Sequence, residues 1–158
     1  MAQQHYIMPT VPDAKATAVR LGASNALAAQ LTTVDEGKFV RLAGSSQYDL
    51  TTVGQDIEGV IYAVETAAQN LWSIGSVYSE GRVFATADGL QATPGVGTLA
   101  VGDIVVTGTP VAKGTKATAY PKVCKATTPA NVMFKWRVVS LHTANTGAVG
   151  TVVVIERI

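Results

Sequence analysis

Cysteine is nearly missing, with Cys124 the only one in 158 residues. A single thiol excludes an intrachain disulfide and any metal cluster built from cysteines. Histidine is almost as scarce. His5 and His142 stand alone, and neither falls in a zinc spacing such as His-x-x-x-His. Charge is thin as well. Charged side chains are 15 % of the chain, against about 25 % in an average soluble domain. The formal net charge is +1, whereas a nucleic-acid binder normally carries a basic stripe. The densest basic cluster is Lys113, Lys116, Lys122 and Lys125. Thr, Ala and Pro space it and no aromatic interleaves it, so it reads as a solvated loop. Aromatics are 6 % of the chain, too few for a stacking platform. No apolar run approaches the ~18 residues of a membrane span. The start, Met1 to Tyr6, lacks the basic and apolar regions of a secretory signal. These absences leave a soluble protein made in a cytoplasm, with neither a nucleic acid nor a membrane as partner.

Ala, Val, Thr and Gly take the place of the missing charge, and the hydrophobic share is 47 %. An exterior with so few charges suits a protein whose surface is partly covered by partners. The clearest structural signal is at the C-terminal end. Phe134 to Val138 alternates apolar and basic side chains, and Val139 to Leu141 carries the run further. After a polar loop, His142 to Ala148, comes a β-branched run, Val149 to Ile158. Alternation, a turn-rich gap and a β-branched run predict two antiparallel strands. The second is apolar on both faces in its middle, which predicts cover on both sides.

The remaining chain repeats this texture. Residues 1–13 form an apolar arm, with Tyr6, Ile7, Met8 and Val11 beside Pro9 and Pro12. Prolines push their predecessors out of the helical region, so the arm is extended. It packs on its own core or clasps a neighbour. Residues 14–158 read as a single β-rich domain. Strands are expected through Leu21, over Lys38–Leu42, Tyr48–Val53 and Ile57–Val64, and over Arg82–Ala87 and Ile104–Thr107. Leu71 to Tyr78 carries its apolar residues on the even positions Trp72, Ile74 and Tyr78. Turn pairs are Asp35-Glu36-Gly37 and Asp88-Gly89. Glu65 to Leu71 is the best helix candidate, and it is short. Residues 109–129, rich in Thr, Lys and Pro, predict a protruding loop with a weak strand around Tyr120–Cys124. Short strands at intervals of roughly 8–12 residues predict an all-β fold, a compact antiparallel barrel or sandwich with an extended N-terminal arm and at most one short helix.

The chemistry-bearing residues form no constellation. Cys124 with His142 is a conceivable nucleophile and base, but no flanking signature accompanies them. Lys113-Gly114-Thr115 resembles only the tail of a phosphate loop. Asp35 with Glu36, and Asp49 with Asp56, lie at turns, where Asp caps local backbone groups. The reading is therefore no catalytic residue, no cofactor-binding residue and no metal ligand. The residues assigned to partner binding are Tyr6, Ile7, Met8, Pro9, Val11 and Pro12 of the arm, with Lys113 and Lys116 of the loop.

Several stretches carry a family likeness: Met1-Ala2-Gln3 with its apolar arm, Val34-Asp35-Glu36-Gly37-Lys38-Phe39-Val40, the Trp72 to Thr86 strand pair, and Thr98 to Val105. Together the pattern resembles the head decoration, or capsid cement, proteins of tailed bacteriophages. The resemblance implies a structural protein without a cofactor, seated on the exterior of a virion head after assembly in the host cytoplasm. Its partners would be the major capsid protein and copies of itself, as a homotrimer or a dimer. Two other classes stay open. One is a ligand- or glycan-binding β module with the 109–129 loop as its contact surface. The other is a small β-barrel enzyme using Cys124 or a carboxylate pair.

Overall fold

The structure, a computed structural model, describes residues 16–22, 30–43, 47–66, 73–142 and 146–158. The first sheet contains β1 (Ala16–Leu21), β2 (Phe39–Leu42), β3 (Gln47–Leu50), β4 (Gly59–Thr66) and β5 (Ser73–Tyr78). They close into a barrel in the order β1-β3-β2-β4-β5. β1 runs antiparallel to β5 along its whole length and meets β3 in parallel at Arg20↔Gln47 and Leu21↔Tyr48. Leu21, Leu31, Val40, Ile61, Val64 and Val77 fill the interior. In β5 the odd positions Ser73, Gly75 and Val77 face inward and Ile74 is exposed, the reverse of the face expected from the even apolar positions. The reason is room. A methyl group on Gly75 would run into the Ala63 carbonyl and the Leu21 side chain, so small residues are needed where so narrow a barrel closes.

The second sheet contains β6 (Arg82–Leu90), β7 (Thr93–Pro94), β8 (Ile104–Thr107), β9 (Lys122–Lys125), β10 (Trp136–Leu141) and β11 (Val152–Arg157). Its order is β11-β10-β8-β9-β6-β7, and β11 also pairs with β6, so the ladder closes into a ring with β7 outside it. The C-terminal hairpin lies where alternation placed it, in the register Trp136↔Arg157 to Leu141↔Val153 with an irregularity between Val138 and Ser140. Val153, Val154 and Ile155 are all buried, as a strand covered on both faces requires. β9 runs parallel to β6, a pairing that a purely antiparallel reading does not contain. Asp88-Gly89 is not a turn but part of β6, whose ladder with β9 shifts register between Ala87 and Leu90.

The two sheets share a wall. On β2, Phe39 enters the core of the second sheet and Val40 the core of the first; on β4, Val60 and Ile61 divide in the same way. Successive residues of a strand point to opposite faces, so one pair of strands serves two cores. Trp136, fully buried, crosses the junction and donates its indole Nε1–H to the Ile57 carbonyl at 2.8 Å. Each fully buried Val, Leu, Ile or Phe here contributes about 1.5–3 kcal/mol relative to exposure.

Helical structure among the described residues is limited to two 3-10 turns, Thr33–Asp35 and Pro129–Asn131. Of the helix candidate Glu65–Leu71, Glu65 and Thr66 end β4 and the remainder lies outside the described residues, as do Trp72, His5 and the whole arm.

Candidate functional site

Residues 108–121, the connection from β8 to β9, bind the two sheets to each other. Asp35, at the end of the first 3-10 turn, supplies the anchor. Its Oδ2 accepts from the Thr32 backbone N–H at 3.0 Å and from Thr32 Oγ1 at 3.3 Å. Its Oδ1 accepts from Lys38 Nζ at 2.7 Å and from the Gly114 N–H at 2.9 Å. Lys38 Nζ donates also to the Ala112 carbonyl at 2.7 Å. Asp35 and Lys38 are both buried. Charges taken out of water persist only when paired and hydrogen-bonded, and here the pair completes its bonding on the backbone of the loop. Burial by itself would raise the Asp35 pKa, but the donors Lys38, Thr32 and Gly114 outweigh it and hold the carboxyl below its ordinary value.

A second anchor lies on β6. Asp88 accepts from the Thr109 N–H at 2.7 Å and pairs with Lys122 at 3.4 Å. Thr86 donates its hydroxyl to the Tyr120 carbonyl at 3.1 Å and its N–H to the Pro121 carbonyl at 2.9 Å. The loop expected to protrude is therefore fastened at both of its ends and at Ala112–Gly114 in its middle. Beneath it, Phe39, Leu50, Thr107, Pro110, Val111 and Pro121 line a small cavity of about 30 Å³, room for a water molecule or two. The buried Thr107 hydroxyl at its edge has no hydrogen-bond partner among the described residues.

Lys113 is half-buried and Lys116 exposed on either side of the pinned Gly114. The arm residues Tyr6, Ile7, Met8, Pro9, Val11 and Pro12 lie outside the described residues. Cys124 is fully buried against Val106, Ala126 and Val132. Desolvation, with the negative Asp88 nearby, pushes its thiol up to about 11, far from the thiolate a nucleophile needs. His142 is exposed after β10, its ring edge-on to Phe84 at 5.3 Å. The carboxylates singled out as pairs are individually committed: Glu36 accepts from the Val64 N–H at 3.0 Å, Asp49 from Leu50 N–H at 2.8 Å, and Asp56 from Met133 N–H at 2.7 Å. Among the described residues no three of His, Cys, Asp and Glu group as metal ligands would, and no helix is long and apolar enough to cross a membrane.

A groove of about 280 Å³ opens where the two sheets meet, lined by Arg41, Leu42, Asp56, Glu58, Met133 and Phe134. Glu58 is saturated inside it, accepting from Tyr48 OH and the Leu42 N–H, both at 2.9 Å. Burial and that acceptor push the Tyr48 phenol up to about 12. Arg157 lies 4.8 Å over the Phe134 ring and donates to the Glu58 and Ser79 carbonyls. Asp56 and Arg157 thus bond across the junction beside the groove.

No protein-family model matches the chain, and no curated protein or solved structure matches it. Lys38, Asp88 and Thr86 carry the site, and the sequence reading did not select them. One signal for the first was present: Asp35 and Lys38 sit three residues apart in a chain with few charges.

Proposed function

We propose that this protein is a non-catalytic structural element, a decoration protein that binds the exterior of a viral head and stiffens it through contacts between subunits. The observation that carries the reading is the use made of the buried polar groups. Asp35, Lys38, Glu36 and Asp88 each hold a backbone group of a neighbouring segment; Asp35 and Lys38 tie the two small closed sheets to each other, and Glu36 and Asp88 fasten segments within one sheet each. A body of this kind transmits load and presents fixed surfaces. The resemblance of the sequence to capsid cement proteins supplies the setting, with the major capsid protein and further copies of the chain as partners.

The direct test is co-sedimentation of the purified full-length chain with tailed-phage heads stripped of decoration. The expected result is saturable binding at a fixed ratio to capsid subunits and a higher temperature of head disruption. Absence of saturable binding, or binding that leaves that temperature unchanged, removes the proposal. Deleting residues 1–13 tests the arm separately, since unchanged occupancy would leave the arm without a part in attachment.

A further inference from the structure

A polar cleft of about 280 Å³ opens between the Gly54–Asp56 segment and the segment around the 3-10 turn Pro129–Asn131. Val106 and Val132, both buried, form its floor. Two planar side chains on its wall are set in place by the backbone. Gln91 Oε1 accepts from the Thr127 N–H at 2.9 Å, and Gln91 Nε2 donates to the Gly54 carbonyl at 3.3 Å. Glycine is needed at 54, where a methyl group would meet Gln91 Nε2 at 2.9 Å. Asp56 Oδ2 accepts from the Met133 N–H at 2.7 Å. Each group keeps capacity for a further bond, the second N–H of the Gln91 amide and Asp56 Oδ1. The rim adds Thr127, Thr128 and Asn131, all exposed. Their side chains make no hydrogen bond to another described residue. Among the lining residues only Asp56 is ionisable. Lys125, whose carbonyl accepts from the Gln91 N–H, is paired with Asp103 at 2.8 Å. Arg41 and Glu58 belong to the neighbouring groove, which shares Asp56.

We propose that this cleft binds a neutral saccharide of one or two rings. The class follows from the donors and acceptors. An oriented carboxylate and an oriented primary amide, joined by a second amide and two hydroxyls, can bond to the neighbouring hydroxyls of a sugar. A phosphate or another anion would meet a carboxylate and no cation. A divalent cation would find a single carboxylate. A nucleobase would find no aromatic ring among the lining residues. An apolar ligand would strand the polar rim, because amides and hydroxyls taken out of water need partners. The ligand that satisfies the rim is rich in hydroxyls, and its C–H edges rest on Val106 and Val132. The volume lies just under the roughly 300–1,000 Å³ of sites for drug-sized ligands, which limits the number of rings. Side chains already fixed by the backbone lower the ordering cost of binding. The cleft needs no viral head and stands independently of the function proposed above.

The test is titration of the isotope-labelled full-length chain, followed by amide proton–nitrogen correlation spectra. The probes are glucose, galactose, mannose, N-acetylglucosamine, maltose and lactose, with inorganic phosphate and ethylammonium as charged comparisons. The expected result is saturable shifts with at least one sugar, confined to the amides of Gly54, Asp56, Thr127, Thr128 and Asn131 and to the side-chain amide of Gln91. Asn131→Ala is expected to raise the Kd for that sugar about tenfold, the loss of a neutral hydrogen bond. Asp56→Asn keeps an oxygen for the Met133 N–H and is expected to raise it about thirtyfold, the loss of a bond to a charged acceptor. Lys113→Ala, on the fastened loop, is expected to leave it unchanged. The same spectra establish that each variant is folded, and two cleft positions guard against one that is not. Saturable shifts with none of the sugars overturn the proposal, as do shifts that fall on other residues. So does phosphate or ethylammonium binding as tightly as the best sugar, or a Kd that neither cleft variant changes.

Discussion

The two ends of the second sheet are built from similar residues and held in opposite ways. One end, residues 108–121, and the other, residues 89–102 with 146–151, are both rich in Gly, Thr, Ala and Pro. The first carries Lys113 and Lys116 and is fastened to buried carboxylates on one strand and one turn. The second carries no charge within its own residues and is held by backbone bonds, Leu99 N–H to Gly147 O at 2.9 Å and Gly150 N–H to Ala87 O at 2.8 Å, by the hydroxyls of Thr146 and Thr151, and by the flanking Asp103, which accepts from the Ala100 N–H at 2.8 Å. The difference teaches how a chain with few charges uses them. Buried charge goes to the end that joins the two sheets, where register must be fixed, and is withheld from the end that exposes apolar surface.

Removing the anchor should produce the largest effect. Asp35→Ala leaves Lys38 buried without its partner and the Gly114 N–H without its acceptor, a loss of about 3–5 kcal/mol by comparison with other broken buried pairs. Urea denaturation measures it, and hydrogen exchange should show the amides of 109–116 losing protection. Adding Lys38→Met to Asp35→Ala should recover part of the loss, because the stranded charge goes with it. If the double variant is less stable than the single one, the pair is not the reason the loop stays down.

The uncharged end breaks differently. A methyl group built on Gly147 falls into the Leu99 carbonyl, so Gly147→Ala must pry the two stretches apart. The expected cost is about 1–3 kcal/mol, the range for overpacking a filled site. Exchange should report it at Leu99 and Gly147 and leave 109–116 protected. If protection is lost equally at both ends, they do not act as separate units.

These contrasts explain what the sequence could and could not convey. Strands are local, and Trp136–Leu141, Val152–Arg157 and Ile104–Thr107 were legible from alternation and β-branching. The two-barrel arrangement was not. It depends on Phe39 and Val40 serving different cores, and adjacent apolar residues look the same whether a strand has one buried face or two. The anchor was half legible. Asp35 was readable as a cap for its own turn, and it is one. Its bond to Gly114 spans 79 positions and exists only after the sheets close. Of the residues assigned to partner binding, Lys113 and Lys116 lie on the fastened loop beside Gly114, and the arm lies outside the described residues.

Acid and alkali should separate the anchors without any mutation. The Asp35 pKa is lowered in the folded chain, so its stabilisation is complete above the unfolded carboxyl value, about 3.9. It is lost as pH falls through the folded pKa. Protection at Gly114 should therefore fail in acid before protection at Leu99, whose N–H is accepted by a backbone carbonyl. Cys124 runs the other way. Its thiol is raised from 9.0 to about 11 in the folded chain, so folding is favoured below pH 9 and that contribution fades as pH climbs towards 11. At pH 8 the native thiol should resist alkylation and the urea-unfolded thiol should not. Equal reactivity in both states would contradict its burial.

The smallest change concerns the floor beneath the fastened loop. Thr107 is buried at 1 % exposure and its hydroxyl has no hydrogen-bond partner among the described residues. A buried hydroxyl without a partner is a penalty that the backbone bonds around it must offset, Thr107 N–H to Gln55 O at 3.0 Å and Gly54 N–H to Thr107 O at 2.8 Å. Thr107→Val keeps the shape and removes the penalty, so stability should hold or rise by up to about 1 kcal/mol. The cavity of about 30 Å³ is the reason the gain is small, since a water there would already satisfy part of the hydroxyl's bonding. A loss above about 1 kcal/mol on Thr107→Val would show that the hydroxyl is bonded through such a water, and the floor of the loop would then be a polar contact and not an apolar one.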